Sequence, residues 1–79
     1  MAYIATFHTH VGALMFLRRM QQLGDDTAAM IPAPRALSVS CGSAVYFEIP
    51  FDEDRMVDDD TEGVYIDRDG EYTAIYKND

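Results

Sequence analysis

The chain has 79 residues, a net charge of −8 at pH 7 and a single cysteine. This length fits one domain, residues 1–79, and a lone cysteine excludes an intrachain disulfide. Six Lys and Arg residues against 14 Asp and Glu residues provide no basic surface for phosphates, so we expect no nucleic-acid partner and no docking on an anionic membrane. With no leader-like segment and no apolar run near the ~20 residues that span a bilayer, we expect a cytoplasmic protein.

The first third of the chain predicts a strand followed by a helix. Residues 2–7 (AYIATF) are short, aromatic and β-branched, as in a strand. Thr9 is placed to cap a helix from about His10 to Leu23, and Gly24 follows where a left-handed cap belongs. The helical spacing puts several apolar side chains on one face: Ala13, Phe16, Leu17, Met20 and Leu23.

The remainder predicts four strands and one uncertain acidic segment. Residues 27–31 indicate a second strand that Pro32 and Pro34 end, and residues 43–49 indicate a third. The segment 51–60 (FDEDRMVDDD) fits either one or two helical turns or a loop. Residues 63–67 and 71–77 flank Arg68-Asp69-Gly70, and Asp-Gly between alternating strands predicts a hairpin.

This order of elements, β-α-β-β-(short α)-β-β, predicts the α+β class. We expect a ferredoxin-like split βαβ sandwich, with one helix layer on a mostly antiparallel sheet. The first two strands then run in the same direction and the third returns antiparallel. That topology brings residues 7–10, 32–35 and 40–42 to one edge of the sheet.

The single thiol, Cys41, is the candidate for chemistry at that edge. Nearby positive charge favours the reactive thiolate, and the helix N-terminus, Arg35 and either His8 or His10 are placed to provide it. Gly42 leaves the sulfur unshielded on one side and frees a backbone N–H. A disulfide oxidoreductase needs a second, resolving thiol, so a lone cysteine favours group transfer over redox cycling.

Two other interpretations of these residues stay open. Cys41 can be a small buried hydrophobe at the start of a strand, in which case the chain is a non-catalytic adaptor that docks a basic partner on its acidic surface and hairpin edge. Alternatively, His8, His10 and Cys41 supply three ligands for zinc or copper in a small metal-binding module, although we expect no cofactor.

The acids after residue 57 imitate the spacing of a calcium loop. The residues concerned are Asp58, Asp60, Glu62, Gly63 and Asp69. The flanking pattern is that of a hairpin, where a calcium loop needs helices, so a solvated acidic loop is the better interpretation.

Several of these residues together resemble a known family. A strand ending in Phe7, then His-Thr-His, a helix, IPAPR at 31–35 and SVSCG at 38–42 resembles the selenium/sulfur-carrier-like family of small prokaryotic proteins. The resemblance covers roughly residues 3–49 and implies a compact βαββαβ-like fold. The acidic segment 51–60 departs from the family pattern, which has an amphipathic helix after the third strand.

The resemblance also implies that Cys41 is the carrier of sulfur or selenium. Its surroundings would be shaped by Pro32, Pro34, Arg35 and Gly42, and we add Thr9 and Ser40 as neighbours at the same edge. The predicted function is therefore a persulfide or perselenide relay from a donor protein to an acceptor protein. Self-association into a homodimer stays open.

Overall fold

The computed structural model describes residues 1–37 and 40–78 of the chain. Within them the secondary-structure elements are, in chain order, β1 (Ala2–Phe7), α1 (His10–Gln22), β2 (Ala29–Pro32), β3 (Ser43–Phe47), α2 (Glu53–Met56), β4 (Thr61–Arg68) and β5 (Glu71–Lys77).

The strands form one sheet in the order β2-β3-β1-β4-β5, and every neighbouring pair is antiparallel. β1 lies in the middle, where Tyr3 pairs with Phe47 on one side and with Ile66 on the other. Because β1 and β2 both run antiparallel to β3, these two strands point in the same direction, as expected. The α+β class is confirmed, with a single antiparallel sheet.

Helix α1 begins and ends where its capping residues predict. The Thr9 side chain accepts a hydrogen bond from the Gly12 N–H, so Thr9 is the N-cap. Gly24 lies just past the end with φ +97°, a left-handed conformation that favours glycine. Leu23, predicted as the last helical residue, is the C-cap instead. The buried face of the helix consists of Gly12, Ala13, Phe16 and Met20.

The sheet is packed on both faces. The larger core lies between α1 and the sheet, where the Phe16 ring contacts those of Phe7 and Phe47 at centroid distances of 5.1 and 5.3 Å. On the opposite face a smaller cluster joins Ile4 to Leu37, which belongs to the connection after β2. Ala33 and Leu37 therefore cover a part of the sheet that, among the described residues, lies on the face opposite α1. Within the described residues, no helix is both long enough and apolar enough to cross a bilayer.

The strands predicted at 27–31 and 43–49 are shifted or shortened by one side chain, Asp25. This buried carboxylate accepts from the Thr27 N–H and hydroxyl at 2.9 and 2.5 Å, so the backbone turns there and β2 starts only at Ala29. The other carboxylate oxygen accepts from the N–H groups of Glu48 and Ile49, at 2.6 and 2.9 Å. β3 therefore ends at Phe47, because the next two amides are diverted from the sheet.

The second half of the chain follows the predicted hairpin. Asp69 and Gly70 have φ values of 53° and 87°, as a two-residue type I′ turn requires, and they connect β4 to β5. The acidic segment 51–60 contains α2, a single turn that the Asp52 side chain caps by accepting from the Asp54 N–H. β4 begins at Thr61, two residues before the predicted start.

Candidate thiol site

Cys41 lies in the connection that enters β3. Its side chain is half-buried and packs against the larger core. The thiol donates a hydrogen bond to the backbone carbonyl of Ser43, with Sγ 3.4 Å from that oxygen. Gly42 follows with φ +76°, a conformation that a residue with a Cβ rarely adopts. The Ala33 N–H donates to the Gly42 carbonyl at 2.9 Å, which ties this connection to the end of β2. The thiol is thus held in place between core and solvent.

The start of α1 reaches the same end of the sheet. His10 Nδ1 lies 3.3 Å from the Ser43 hydroxyl oxygen, so one residue, Ser43, contacts both the imidazole and the thiol. Pro32 pairs with Ser43 in the sheet. The structure therefore brings together the three segments that the topology predicted as neighbours. We call this end, formed by His8–His10, Ser40–Ser43, Asp60 and Glu62, the thiol rim.

Glu62 fastens the chain just before Cys41. Its two carboxylate oxygens accept from the Ser40 N–H at 3.2 Å and from the Ser40 hydroxyl at 2.7 Å. The His8 Nδ1 lies 3.4 Å from the same carboxylate, which forms an ion pair when that imidazole is protonated. Glu62 therefore ties the thiol-bearing connection to β4 and to the end of β1.

Asp60 occupies the positive end of α1. One of its carboxylate oxygens accepts from the Thr9 N–H at 3.2 Å and from the Thr9 hydroxyl at 2.9 Å, and its backbone carbonyl accepts from the His8 N–H at 2.9 Å. A Cβ added at Gly12 would lie 1.6 Å from this carboxylate, so only glycine admits it. The positive partial charge at the N-terminus of α1 was expected to stabilise the Cys41 thiolate. In the structure Asp60 lies at this position and interacts with that charge.

Arg35 lies in a turn that the Leu37 N–H closes by donating to the Pro34 carbonyl at 3.0 Å. Its side chain is exposed, and within residues 1–37 and 40–78 no hydrogen bond or ion pair connects it to Cys41. Pro32 ends β2, next to the thiol rim. Ser38 and Val39, the first two residues of the SVSCG segment, lie outside the described residues.

The alternative of a three-ligand metal site at His8, His10 and Cys41 is not supported among the described residues. In the part of the chain that the structure describes, no group of three or more His, Cys, Asp or Glu side chains could hold a metal ion. His8 is directed to Glu62 and His10 to Ser43, because they lie on either side of the boundary between β1 and α1.

Sequence reasoning missed Asp60 and Glu62, the two acids of the thiol rim. Both belong to the run that was interpreted as a solvated acidic loop. Asp60 directly precedes β4 and Glu62 is its second residue, so both lie beside the end of β1, where the pairing of the two strands is irregular. Gly12, a glycine inside an otherwise regular helix, was an available signal of a close approach.

Comparison with known proteins gives one match. Residues 2–58, more than half of the chain, match the family described as "Putative Se/S carrier protein-like". This range includes the whole of α1 and the SVSCG segment, and it ends before β4. No curated protein and no solved structure matches the chain.

Proposed function

The chain belongs to the Se/S carrier protein-like family, and from this premise we propose that it carries sulfur or selenium on Cys41. The observation that carries the proposal is the position of this residue, the only cysteine of the chain. It is half-buried in an anchored connection, beside the segment that carries His8 and His10 and next to a left-handed glycine. A donor protein would load the sulfur, and an acceptor protein would take it away.

The proposed transfer needs no external oxidant or reductant. The Cys41 thiolate attacks the terminal sulfur of a persulfide, R–S–SH, on the donor. A bond forms between Sγ and that sulfur, the S–S bond of the donor breaks, and the donor leaves as a thiolate that takes up the proton. The products are a Cys41 persulfide and R–SH. A thiol of the acceptor then repeats the same displacement on Cys41, which returns to its starting form.

A carrier must hold its persulfide without discharging it. A second thiol nearby would attack the inner sulfur of the persulfide, form an intrachain disulfide and release the cargo as hydrogen sulfide. This chain has no second cysteine, which supports transfer between proteins as the route by which the cargo leaves. A reducing cytoplasm, the compartment we propose, keeps the unloaded thiol available.

The surroundings of the thiol suggest separate roles for the predicted site residues. His10 contacts the same serine, Ser43, that holds the thiol, so we assign to it the uptake of the thiol proton. His8 lies 3.4 Å from the Glu62 carboxylate, so we assign to it the positioning of Glu62 at the anchor of the connection. Arg35, exposed in the turn after β2, would meet an anionic group that the partner brings.

The remaining predicted residues shape the backbone around the thiol. Gly42 leaves one side of the sulfur open, and Pro32 and Pro34 limit how the neighbouring connection can move. Thr9 would hold Asp60 against α1 and away from the thiol. The strand order β2-β3-β1-β4 supports a ferredoxin-like split βαβ arrangement, with β5 as an additional edge strand.

Thiol reactivity tests whether Cys41 is primed for this chemistry. At neutral pH Cys41 should be alkylated faster in the folded protein than in the urea-unfolded chain, because the thiolate is the nucleophile that a carrier presents. Arg35→Ala should slow sulfur transfer from a donor persulfide, because Arg35 is assigned to meet the partner, while Arg68→Ala, which changes an exposed arginine at the far end of β4, should not. A thiol that stays unreactive across the neutral range would instead favour the adaptor with an inert cysteine.

A further inference from the structure

An open groove of about 680 Å³ lies at the end of the molecule opposite the thiol rim. It lies between the end of α1 and the short helix α2. Its apolar lining includes Leu23, Ile49, Phe51 and Met56. Leu23 is an apolar side chain that is 37% exposed at the groove. Its role as the C-cap uses only its backbone N–H and does not explain the apolar side chain.

The groove is held open by contacts on each side. Asp25 fixes the wall at Ile49 by accepting from its N–H at 2.9 Å. Arg19 reaches from α1 and donates to the Met56 carbonyl at 2.7 Å, which ties α2 to α1. These contacts fix both walls of the groove, as in preformed binding sites.

The charges at the groove are predominantly negative. Asp52 and Glu53 belong to the lining and Asp54 follows directly, whereas Arg55 is the one cation among the described lining residues. The whole chain has a net charge of −8, so the long-range field attracts the same kind of partner as the groove does. A second copy of this chain would carry the same charge and be repelled.

We infer that this groove docks a basic segment of a partner protein, with an apolar side chain on the floor and lysine or arginine against Glu53 and Asp52. The apolar lining would contact the apolar side chain of such a segment, and the two carboxylates would contact its basic side chains. Cys41 and Ile49 flank opposite ends of β3, whose five residues span roughly 15 Å, so a partner seated here leaves the thiol uncovered.

Synthetic peptides test the inference without any sulfur chemistry. One peptide carries leucine and tryptophan anchors flanked by lysines, and its sibling has glutamates in place of the lysines. Binding is measured by fluorescence anisotropy and by NMR chemical-shift changes. The same measurements on the Cys41→Ser protein show whether binding is independent of the thiol. The lysine peptide should bind and perturb residues 49–56, more weakly as salt is added, and the glutamate peptide should not bind.

Matched substitutions locate the binding. Leu23→Gln should weaken the lysine peptide about fivefold by removing an apolar contact, whereas Leu14→Gln, at 41% exposure on the outer face of α1, should not. Glu53→Lys should weaken it about fivefold, and Glu71→Lys, which reverses an exposed glutamate on β5, should have a much smaller effect.

The inference would be overturned if both peptides bound equally, or if the two variants of each pair had equal effects. It would also be overturned if the NMR chemical-shift changes lay outside the groove. A dimer in sedimentation that Leu23→Gln dissociates would also overturn it, because a second copy would then occupy the groove. None of these results depends on Cys41, so the sulfur-carrier proposal would stand or fall separately.

Discussion

Replacing Asp25 with asparagine should destabilise the protein by about 2 kcal/mol at neutral pH and should remove one step of its acid unfolding. Burial raises the pKa of this carboxyl group, because an ion is costly away from water. Hydrogen bonds from Thr27 and from the amides of Glu48 and Ile49 more than offset this, and the pKa falls from 3.8 to about 2.

This shift in pKa sets both the size and the sign of the effect. Each unit corresponds to about 1.4 kcal/mol, so a shift of nearly two units contributes about 2 kcal/mol to the free energy of unfolding. Because the folded pKa is the lower one, the unfolded chain binds more protons between pH 3.8 and about 2. The contribution is complete above that window and is lost as the pH falls through about 2.

Urea unfolding followed by circular dichroism, repeated from neutral pH down to about 2, measures this contribution. The quantity of interest is the difference in unfolding free energy between wild type and Asp25→Asn, since other carboxyl groups titrate equally in both proteins. That difference should shrink by about 2 kcal/mol across the window. Asp26→Asn, at the exposed neighbouring aspartate, is the control and should leave the free energy almost unchanged. A difference between wild type and Asp25→Asn that stays constant down to about pH 2 would refute the reasoning.

Three further substitutions test the contacts around the thiol. Gly12→Ala should lower the free energy of unfolding by about 1–2 kcal/mol, because the added methyl group displaces Asp60. In an Asp60→Ala background the same change should instead stabilise the helix by up to about 1 kcal/mol, since alanine is the better helix former. Equal effects in both backgrounds would contradict the contact between Gly12 and Asp60. Gly42→Ala should cost about 1 kcal/mol in urea unfolding, because φ is +76° there, and no loss would mean that the backbone relaxes freely. Glu62→Gln should raise the alkylation rate of Cys41 about threefold at neutral pH by removing a negative charge from the anchor of its connection. An unchanged rate would separate Glu62 from the chemistry.

Much of the fold follows from local signals in the sequence. Thr9 and Gly24 bracket α1 because capping residues satisfy the groups that a helix leaves free at its ends. Asp69-Gly70 fixes the last hairpin for a comparable local reason, since both residues adopt positive φ. The end of β3 at Phe47 could not be predicted in this way, because Asp25 accepts from the amides of Glu48 and Ile49 from more than twenty residues away.

The thiol site was predictable in its position more than in its electrostatics. Topology alone brings Cys41 to the start of α1, so the neighbourhood followed from the order of the elements. Glu62 and Asp60 lie in a run of acids whose members look alike in sequence, and only their contacts with Ser40 and Thr9 in the folded chain distinguish them. The pairing of Glu62 with His8, and of Asp60 with the N-terminus of α1, arises only in the folded chain.

Loading of Cys41 with sulfur is the most direct test of the proposed function. The protein is incubated with a cysteine desulfurase and its cysteine substrate, and intact mass and peptide mapping follow the product. We expect an addition of one sulfur atom at Cys41, absent from Cys41→Ser and lost when a small-molecule thiol acceptor is added. A protein that alkylates readily at Cys41 yet never gains that mass, with the desulfurase shown to be active, would contradict the account.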